Sequence, residues 1–296
     1  MTRAIRNTQY EKRPLAENIE FADNWKDFFA AEGFASFDDL FERTNPGWRI
    51  GKKRVVASFS LGKGAGPRHF FIKRFLRPHL KDMLFTMMST GRLCSQGRYE
   101  WNAAGHLLGH GIGTYRPVCV GERSVGPIER CSFFITERLE SIPLTQYVKT
   151  RWPAFAEERK QQLIRAVGRF VRRIHDAKVN FPDLYVWHIF VSEDCRRTTH
   201  DTRHTQYGPG GGDMSWDFDI IDLHRMTTGV TDPRKQAANL GRLDHSMIDE
   251  FFSPVHRRLL IEAYAGDNPP LPVDELAAIV RRVSAVLSRR RRPKPY

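Results

Sequence analysis

The segment from Phe181 to Leu223 constrains this chain most, because it carries two short apolar runs with chemically capable residues at their ends. Asp183 stands at an expected turn, and His188 follows five residues later, just before the apolar run Ile-Phe-Val. After a long polar insertion, a second apolar run ends at Asp222. This pattern predicts a strand pair that presents two aspartates and a histidine. We expect the rest of the chain to serve as the scaffold of this hairpin.

The composition excludes several classes of protein. The chain has 296 residues, of which 41% are hydrophobic, so it can form two modest domains or one bilobal unit with a substantial core. The 47 lysines and arginines exceed the 34 acidic residues, and the formal net charge is +13. We expect such a surface to attract phosphate groups of nucleotides, nucleic acid or anionic lipids. Charge alone does not choose among these partners.

The cysteines and the N-terminus predict the cellular location. Cys94, Cys119, Cys131 and Cys195 form no C-x-x-C pair, which argues against a zinc site or a disulfide framework and favours a reducing cytoplasm. The first residues lack the apolar core of a signal peptide, and no run of about 18 apolar residues occurs. We therefore expect a cytoplasmic protein that does not span a membrane, with peripheral binding to the inner face of the cytoplasmic membrane left open.

The first half of the chain contains a predicted hairpin with a lysine of interest. Two β-branched and aromatic runs, residues 54–61 and 69–75, flank a glycine-rich loop. The loop is either a flexible turn or a phosphate cradle, although it lacks the strand-to-helix context of a P-loop. Period-2 alternation places Lys73 on one strand face between two phenylalanines. A lysine in that position either reaches solvent or meets an anion.

A helix predicted from about Gln96 to Gly109 supplies the candidate anion. Between Lys73 and the strand at Cys131, Glu100 is the only acidic residue that lies on this helix. The sequence therefore predicts an ion pair between Lys73 and Glu100.

The order of the remaining elements predicts the fold class. Further strand-like runs precede residue 139, and helices follow, the longer from about Ala156 to Lys178 with one apolar face. This order suits an α+β bilobal fold with a small β-rich N-lobe, one key helix, and a larger, mostly helical C-lobe. The predicted domains are an N-terminal helical extension (1–50), the N-lobe (51–139), the C-lobe (140–288, with an insertion loop at 193–215) and a basic tail (289–296).

Four stretches together match a known pattern over roughly residues 37–265. They are Phe71-Ile-Lys73, Glu100, Asp183-Leu-Tyr-Val-Trp-His188-Ile-Phe and Ile220-Ile-Asp222-Leu-His-Arg225. These stretches resemble the lipopolysaccharide kinase family, protein-kinase-like enzymes that phosphorylate heptose or Kdo sugars of the lipopolysaccharide core. The resemblance implies a bilobal protein-kinase-like fold with ATP and Mg²⁺ bound between the lobes.

The chemistry of phosphoryl transfer requires the same residue types. Asp183 matches the catalytic base that orients a sugar hydroxyl and accepts its proton. Asp222 matches the carboxylate that holds the metal ion. Lys73 and Glu100 match the nucleotide-binding pair. His188 stands where protein kinases use asparagine, and because histidine is a poor magnesium ligand, we expect it to orient a phosphate or a water.

Other interpretations of these residues stay open. Asp183 could merely cap a turn, and Asp217 or Asp219 could take the role of Asp222. Ordinary kinases carry a histidine two residues before the catalytic aspartate, and here that position is Phe181.

The predicted function is ATP- and Mg²⁺-dependent phosphorylation of a sugar hydroxyl on a lipopolysaccharide-type glycolipid core. The expected partners are ATP, a glycolipid or sugar acceptor and an anionic membrane surface; nucleic acid is not expected. The alternatives are another small-molecule phosphotransferase, a protein kinase, or a pseudokinase-like binding module. The arginine-rich C-terminus, in turn, is either a solvated tail behind a packed helix or a membrane anchor.

Overall fold

The computed structural model describes residues 15–44, 54–62, 66–76, 78, 80–91, 93–193 and 216–296. Most of the predicted insertion loop, the centre of the glycine-rich loop and the first residues of the chain lie outside these ranges. The chain divides into two compact units. The first comprises Met1–Tyr99 and Pro117–Thr136, and the second comprises Glu100–Arg116 and Glu137–Tyr296.

Strands and helices alternate unevenly along the described ranges. The strands are β1 (Leu15–Phe21), β2 (Arg54–Leu61), β3 (Arg68–Phe75), β4 (Gly113–Thr114), β5 (Pro117–Val125), β6 (Ile128–Glu137), β7 (Ile142–Pro143), β8 (Ile189–Ser192) and β9 (Asp217–Ile220). The helices are α1 (Trp25–Ala31), α2 (Leu80–Thr90), α3 (Gln96–Gly109), α4 (Leu144–Arg151), α5 (Glu157–Asp176), α6 (Pro233–Ser246), α7 (Pro254–Ala265) and α8 (Val273–Arg290).

The first unit is built on a five-stranded sheet in the order β1-β5-β6-β3-β2. Its core is strongly aromatic, with Phe29, Phe37, Phe70 and Phe133 fully buried. Phe29 and Phe70 meet with ring centroids 5.3 Å apart, a distance typical of favourable aromatic pairs. The predicted hairpin of residues 54–75 is confirmed, because β2 and β3 pair antiparallel along their whole length.

The N-terminal region differs from the prediction of a helical extension over residues 1–50. Strand β1 pairs antiparallel with β5 from Leu15 to Phe21, so this stretch belongs to the sheet. Its sequence, Leu-Ala-Glu-Asn-Ile-Glu-Phe, is mostly exposed and has little β-branched character. Pairing with a distant strand, rather than local propensity, determines this edge strand.

The first turn of α3 is attached to β6 through a buried carboxyl group. The Gln96 amide donates to Glu129 Oε2 at 3.1 Å, and the Gly97 amide donates to Ser132 Oγ at 3.0 Å. A Cβ on Gly97 would lie 2.7 Å from the Phe133 carbonyl oxygen, so this approach requires glycine. Burial raises the pKa of Glu129 to about 7, although its hydrogen bonds act in the opposite direction.

The second unit is mostly helical around a small sheet in the order β4-β9-β8-β7. Helix α5 packs on α7, and α6 packs on α8. Glycines allow both contacts: a Cβ on Gly168 would lie 2.7 Å from the Leu260 carbonyl oxygen, and one on Gly241 would lie 2.6 Å from Val283 Cβ. The predicted α+β class, with a β-rich first unit and a mostly helical second unit, is confirmed. Residues 100–116, predicted in the N-lobe, group with the second unit.

Among the described helices, none has both the length and the apolarity needed to cross a lipid bilayer.

Glu129 should make the stability of the protein depend on pH. Its folded pKa of about 7 lies above the ordinary value of 4.5, so the folded state binds this proton more tightly. Below about pH 4.5 Glu129 is protonated in both the folded and the unfolded protein, and its contribution to the free energy of unfolding is fully present. As the pH rises from 4.5 through about 7, the unfolded protein loses this proton first, and the free energy of unfolding falls by about 3 kcal/mol. In Glu129→Gln this loss should be absent, so the variant should gain stability relative to wild type between pH 5 and pH 8.

Urea unfolding at several pH values measures this difference. Glu158→Gln, at an exposed position on α5, is the control and should follow the wild-type curve. If the free energy of unfolding depended on pH in the same way in wild type and Glu129→Gln, the raised pKa of Glu129 would be contradicted.

Candidate active site

The predicted strand pair of the Phe181–Leu223 segment is confirmed. Strand β8 pairs antiparallel with β9, from Ile189 opposite Ile220 to Ser192 opposite Asp217. Antiparallel pairing places the start of β8 and the end of β9 at the same end of the sheet. His188 precedes β8, and its carbonyl oxygen accepts from the Ile221 amide at 3.0 Å. The pairing therefore brings His188 beside Asp222.

Helix α6 holds the segment that carries Asp183. Asn239 Oδ1 accepts from the Phe181 amide at 2.6 Å, and Asn239 Nδ2 donates to Asn180 Oδ1 at 3.1 Å. At the end of the same helix, Ser246 Oγ accepts from the Val186 amide at 2.9 Å. The backbone is thus fixed on both sides of Asp183, and the turn at this aspartate is set by a buried helix.

Asp222 has an unusual backbone conformation. Its φ of 64° and ψ of 60° lie in the left-handed region, which aspartate tolerates better than bulkier residues but which still costs free energy. His224 Nδ1 lies 2.9 Å from Asp222 Oδ1. Since an ionised carboxylate only accepts hydrogen bonds, the Nδ1–H group of His224 is the donor. The left-handed backbone and the hydrogen bond from His224 together fix the orientation of the Asp222 carboxylate.

Asp183 is mostly buried and has two basic neighbours. Its side chain is 14% exposed, and Arg225 Nη1 donates to its Oδ1 at 3.1 Å. His224 Nε2 lies 3.9 Å from its Oδ2. His224 therefore stands between the two aspartates, with one ring nitrogen facing each. An ion pair with arginine orients a carboxylate more strongly than a turn-capping bond to a neutral group.

His188 is fixed in one tautomer. Its Nδ1 lies 2.6 Å from the Asp183 carbonyl oxygen, and because a carbonyl can only accept, Nδ1 carries the hydrogen. Burial lowers the pKa of His188, against the opposite effects of that bond and of the Asp222 and Asp183 carboxylates. In the neutral ring the Nε2 atom has a free lone pair, and it lies 3.8 Å from Asp222 Oδ2.

Glu100 belongs to the same group of side chains. One ligand atom from each of Glu100, Asp222 and His224 lies within 4.8 Å of the others. Tyr115 donates its hydroxyl hydrogen to Glu100 Oε2 at 3.1 Å. Burial raises the pKa of Tyr115, and the Glu100 and Asp222 charges add to this effect, so the hydroxyl stays protonated. Two carboxylates and an imidazole form a donor set that suits a divalent cation.

Lys73 lies on β3 of the first unit, with its Nζ 6.0 Å from the centre of the Phe75 ring. Its predicted ion pair with Glu100 stays a prediction. Asp219 is buried in β9 and accepts from Ser141 Oγ at 2.7 Å. Asp222 lies 2.9 Å from His224 Nδ1 and 3.8 Å from His188 Nε2.

Sequence reasoning missed the part played by several residues. Arg225 and His224 were inside the recognised motif, but their contacts with Asp183 depend on a turn after β9. Tyr115 and Asn239 had no local signal, because each meets the site only through the packing of distant elements.

Comparison with known proteins identifies the relatives of this chain. The model described as "Lipopolysaccharide kinase (Kdo/WaaP) family" matches residues 49–264. The chain belongs to this family. The resemblance seen in the sequence is therefore confirmed.

Individual members of the lipopolysaccharide kinase family are moderately similar. The lipopolysaccharide core heptose(I) kinase WaaP of Escherichia coli is 27% identical over 191 residues, 64% of this chain and 64% of that protein. The kinase of the same name from Pseudomonas aeruginosa is 30% identical over 159 residues, 51% of this chain and 53% of that protein. The chain thus spans less than two thirds of the length of these relatives.

A solved structure shares the fold. "WaaP in complex with acyl carrier protein" aligns with a TM-score of 0.62 and 22% identity, over 91% of this chain and 99% of that one. The predicted protein-kinase-like fold of this lipopolysaccharide kinase family member is thereby confirmed.

Asn239 should be required for the stability of the Asp183 segment. Asn239→Leu keeps the side-chain size but removes both hydrogen bonds, which leaves the Phe181 amide and Asn180 side chain without this buried partner. We expect the free energy of unfolding to fall by about 2–4 kcal/mol. Chemical denaturation measures the change.

The matched control is Asn102→Leu on the exposed face of α3, which should change stability by less than about 0.5 kcal/mol. Similar effects of the two substitutions would argue against the anchoring role of Asn239.

Proposed function

We propose that this chain is an ATP- and Mg²⁺-dependent kinase that phosphorylates a sugar hydroxyl of a lipopolysaccharide-type glycolipid core. The observation that supports it most is the convergence of Asp183 and Asp222 on His224, in a chain that belongs to the lipopolysaccharide kinase family. Because the relatives are named as heptose(I) kinases, heptose is the acceptor sugar that we propose to test first.

Asp183 is the proposed catalytic base. Arg225 holds the Oδ1 atom of this carboxylate, so that Oδ2 remains available to a substrate hydroxyl. In the reaction, this oxygen accepts the proton of the attacking hydroxyl while the phosphoryl group is transferred. The His224 Nε2 atom lies 3.9 Å from Oδ2 of the same carboxylate, which is beyond hydrogen-bond distance, so it does not occupy that oxygen.

Asp222 is the proposed metal ligand, with the Glu100 carboxylate as a second oxygen donor. Mg²⁺ prefers oxygen ligands, so His224 acts on the site by orienting Asp222 through its Nδ1–H group. When bound, the metal neutralises charge that develops on the transferring phosphate. Lys73 is proposed to contact the ATP phosphates and to pair with Glu100.

The proposed role of His188 is to hold a water molecule. Its only hydrogen on nitrogen is used by the Asp183 carbonyl, so its Nε2 atom accepts rather than donates. Phosphate oxygens also accept, and a neutral ring therefore does not bind them through this atom. Of the two roles expected from the sequence, orientation of a water is the one that this tautomer supports.

The proposed location is the cytoplasm, at the inner face of the cytoplasmic membrane, where a glycolipid acceptor would be reached by a strongly basic protein. The similar solved structure contains acyl carrier protein, so assays of this chain are best run both with and without that protein.

Mg-ATP should stabilise the folded protein. A ligand at 100 times its dissociation constant adds about 2.7 kcal/mol, which corresponds to a melting-temperature rise on the order of 5 °C. Lys73→Ala and Asp222→Asn should lose most of this rise. Asn also tolerates the left-handed backbone of position 222, so that variant should still fold. Differential scanning fluorimetry measures the shift.

The controls are Lys26→Ala and Asp267→Asn, the same substitutions at exposed positions; both should keep the full shift. Equal Mg-ATP melting shifts in wild type and in all four variants would contradict the kinase proposal.

Asp183→Asn should separate chemistry from nucleotide binding. The substitution keeps the backbone carbonyl that His188 uses but removes the base, so turnover should fall by ~10²-fold or more. The Mg-ATP melting shift should remain. Phosphate transfer to lipopolysaccharide core heptose measures turnover, with Asp267→Asn as the control. Undiminished turnover in Asp183→Asn would contradict the role of Asp183 as catalytic base and leave it a residue that only caps a turn.

A further inference from the structure

The residues that follow helix α8 return to the Asp183 segment. Helix α8 lies against α6, where Gly241 allows close approach of Val283. His245 Nδ1, near the end of α6, lies 3.1 Å from Ser288 Oγ, near the end of α8. The two helix ends therefore meet, and residues 291–296 follow α8 directly. We call residues 291–296 the strap.

The strap contacts two aromatic residues next to the catalytic aspartate. Arg291 Nη2 donates to Tyr185 Oη at 2.9 Å, and its guanidinium carbon lies 5.6 Å from the centre of the same ring. Lys294 Nζ lies 5.0 Å from the centre of the Trp187 ring. The Tyr185 and Trp187 rings stack on each other, with centroids 4.6 Å apart and planes within 13°. Cation–aromatic contacts thus cover a stacked pair.

The strap is anchored by Tyr296. Its ring stacks on Phe251, with centroids 5.5 Å apart and planes within 5°. Its hydroxyl donates to the Ser246 carbonyl oxygen at 2.6 Å, and Lys149 Nζ donates to the Tyr296 carbonyl oxygen at 2.9 Å. Tyr296 thus packs through its ring and is hydrogen-bonded through both its hydroxyl and its backbone carbonyl. A solvated tail would lack these contacts.

The anchor and the catalytic segment share a residue. Ser246 accepts from Tyr296 through its carbonyl oxygen and from the Val186 amide through its hydroxyl oxygen. Residues 185, 186 and 187 are therefore each held either by the strap or by the residue to which the strap is anchored. Together with Leu184, these three residues separate Asp183 from His188.

We propose that the strap positions the Asp183–His188 segment for phosphoryl transfer. The catalytic part of this inference rests on the proposed function, whereas the structural part does not. A displacement of about 1 Å in a reacting group can cost ~10²-fold in rate. A strap that holds Tyr185 and Trp187 limits such displacement of Asp183. The charges at Arg291 and Lys294 thereby act locally, in addition to any attraction to a membrane.

Two neighbouring arginines provide a matched test. Arg292 is exposed and, within the described part of the chain, its side chain has no hydrogen bond, ion pair or ring contact. Arg291→Ala and Arg292→Ala remove the same charge from adjacent positions. Only Arg291→Ala removes a contact with Tyr185. Tyr296→Ala removes the anchor, and Tyr296→Phe removes its hydroxyl while it keeps the stack.

Amide hydrogen exchange at residues 184–188 measures the positioning directly. We expect exchange at least ~10-fold faster in Arg291→Ala and Tyr296→Ala than in wild type, as for a loosened segment. Tyr296→Phe should be intermediate, and Arg292→Ala should match wild type. Lysine at position 291 keeps a cation and a donor, so Arg291→Lys should restore much of the protection.

Steady-state kinetics measure the consequence for catalysis. In Arg291→Ala and Tyr296→Ala, kcat should fall ~10-fold to 100-fold, while KM for ATP stays within about twofold of wild type. Arg292→Ala should keep wild-type kcat. Binding to vesicles of anionic phospholipid should weaken equally in Arg291→Ala and Arg292→Ala, because both lose one charge.

Three results would overturn the inference. Unchanged exchange in Arg291→Ala and Tyr296→Ala would show that the strap does not hold the segment. Equal losses of kcat in Arg291→Ala and Arg292→Ala would show a general effect of charge. A rise in kcat would show that the strap inhibits the site. If wild type transfers no phosphate under any condition, the proposed function fails, and the exchange measurement alone decides the positioning role.

Discussion

The antiparallel pairing of β8 with β9 is the interaction on which the candidate site depends. It brings the residue before one strand and the residues after the other to the same end of the sheet. His188, Asp222 and His224 then stand within a few ångströms, although a long insertion separates the two strands in sequence. The left-handed conformation of Asp222 adds a local bend that no regular strand would supply. Such strain persists only where the surrounding structure determines the backbone.

Helix α6 is the platform that connects the site to the rest of the second unit. Asn239 holds the start of the Asp183 segment, and Ser246 holds its end. Gly241, between them, lets α8 approach closely, and through α8 the strap reaches the same segment. Helix α6 therefore holds the backbone on both sides of Asp183 directly, and the strap that follows α8 contacts the same segment. The proposed catalytic role of Asp183 would require a rigid turn of this kind.

The charges around the site are arranged so that each carboxylate has a defined neighbour. Arg225 faces Asp183, His224 faces both aspartates, and the Tyr115 hydroxyl faces Glu100. Burial keeps His188 neutral and Tyr115 protonated, since it lowers the pKa of the first and raises that of the second. The neutral Tyr115 hydroxyl orients Glu100, and the neutral His188 ring donates to the Asp183 backbone carbonyl, so neither cancels the negative charge that a metal ion would need. The excess of basic residues elsewhere in the chain suits the anionic substrates that we propose.

The sequence by itself determined the features that lie close together along the chain. The Asp183–His188 spacing and the apolar runs of β8 and β9 were readable because turn residues and strand patterns are local. Glu100 was found because few acidic residues were available on the predicted helix. Tertiary structure alone decided the edge strand β1, which pairs with β5 despite weak propensity. It also decided the contacts of Tyr115, Asn239 and the strap. A side chain that contacts a segment far away in sequence leaves no periodic pattern in the sequence around it. For the basic residues after α8, charge was visible in the sequence, but the aromatic partners that hold Arg291 and Lys294 were defined only when α8 packed on α6.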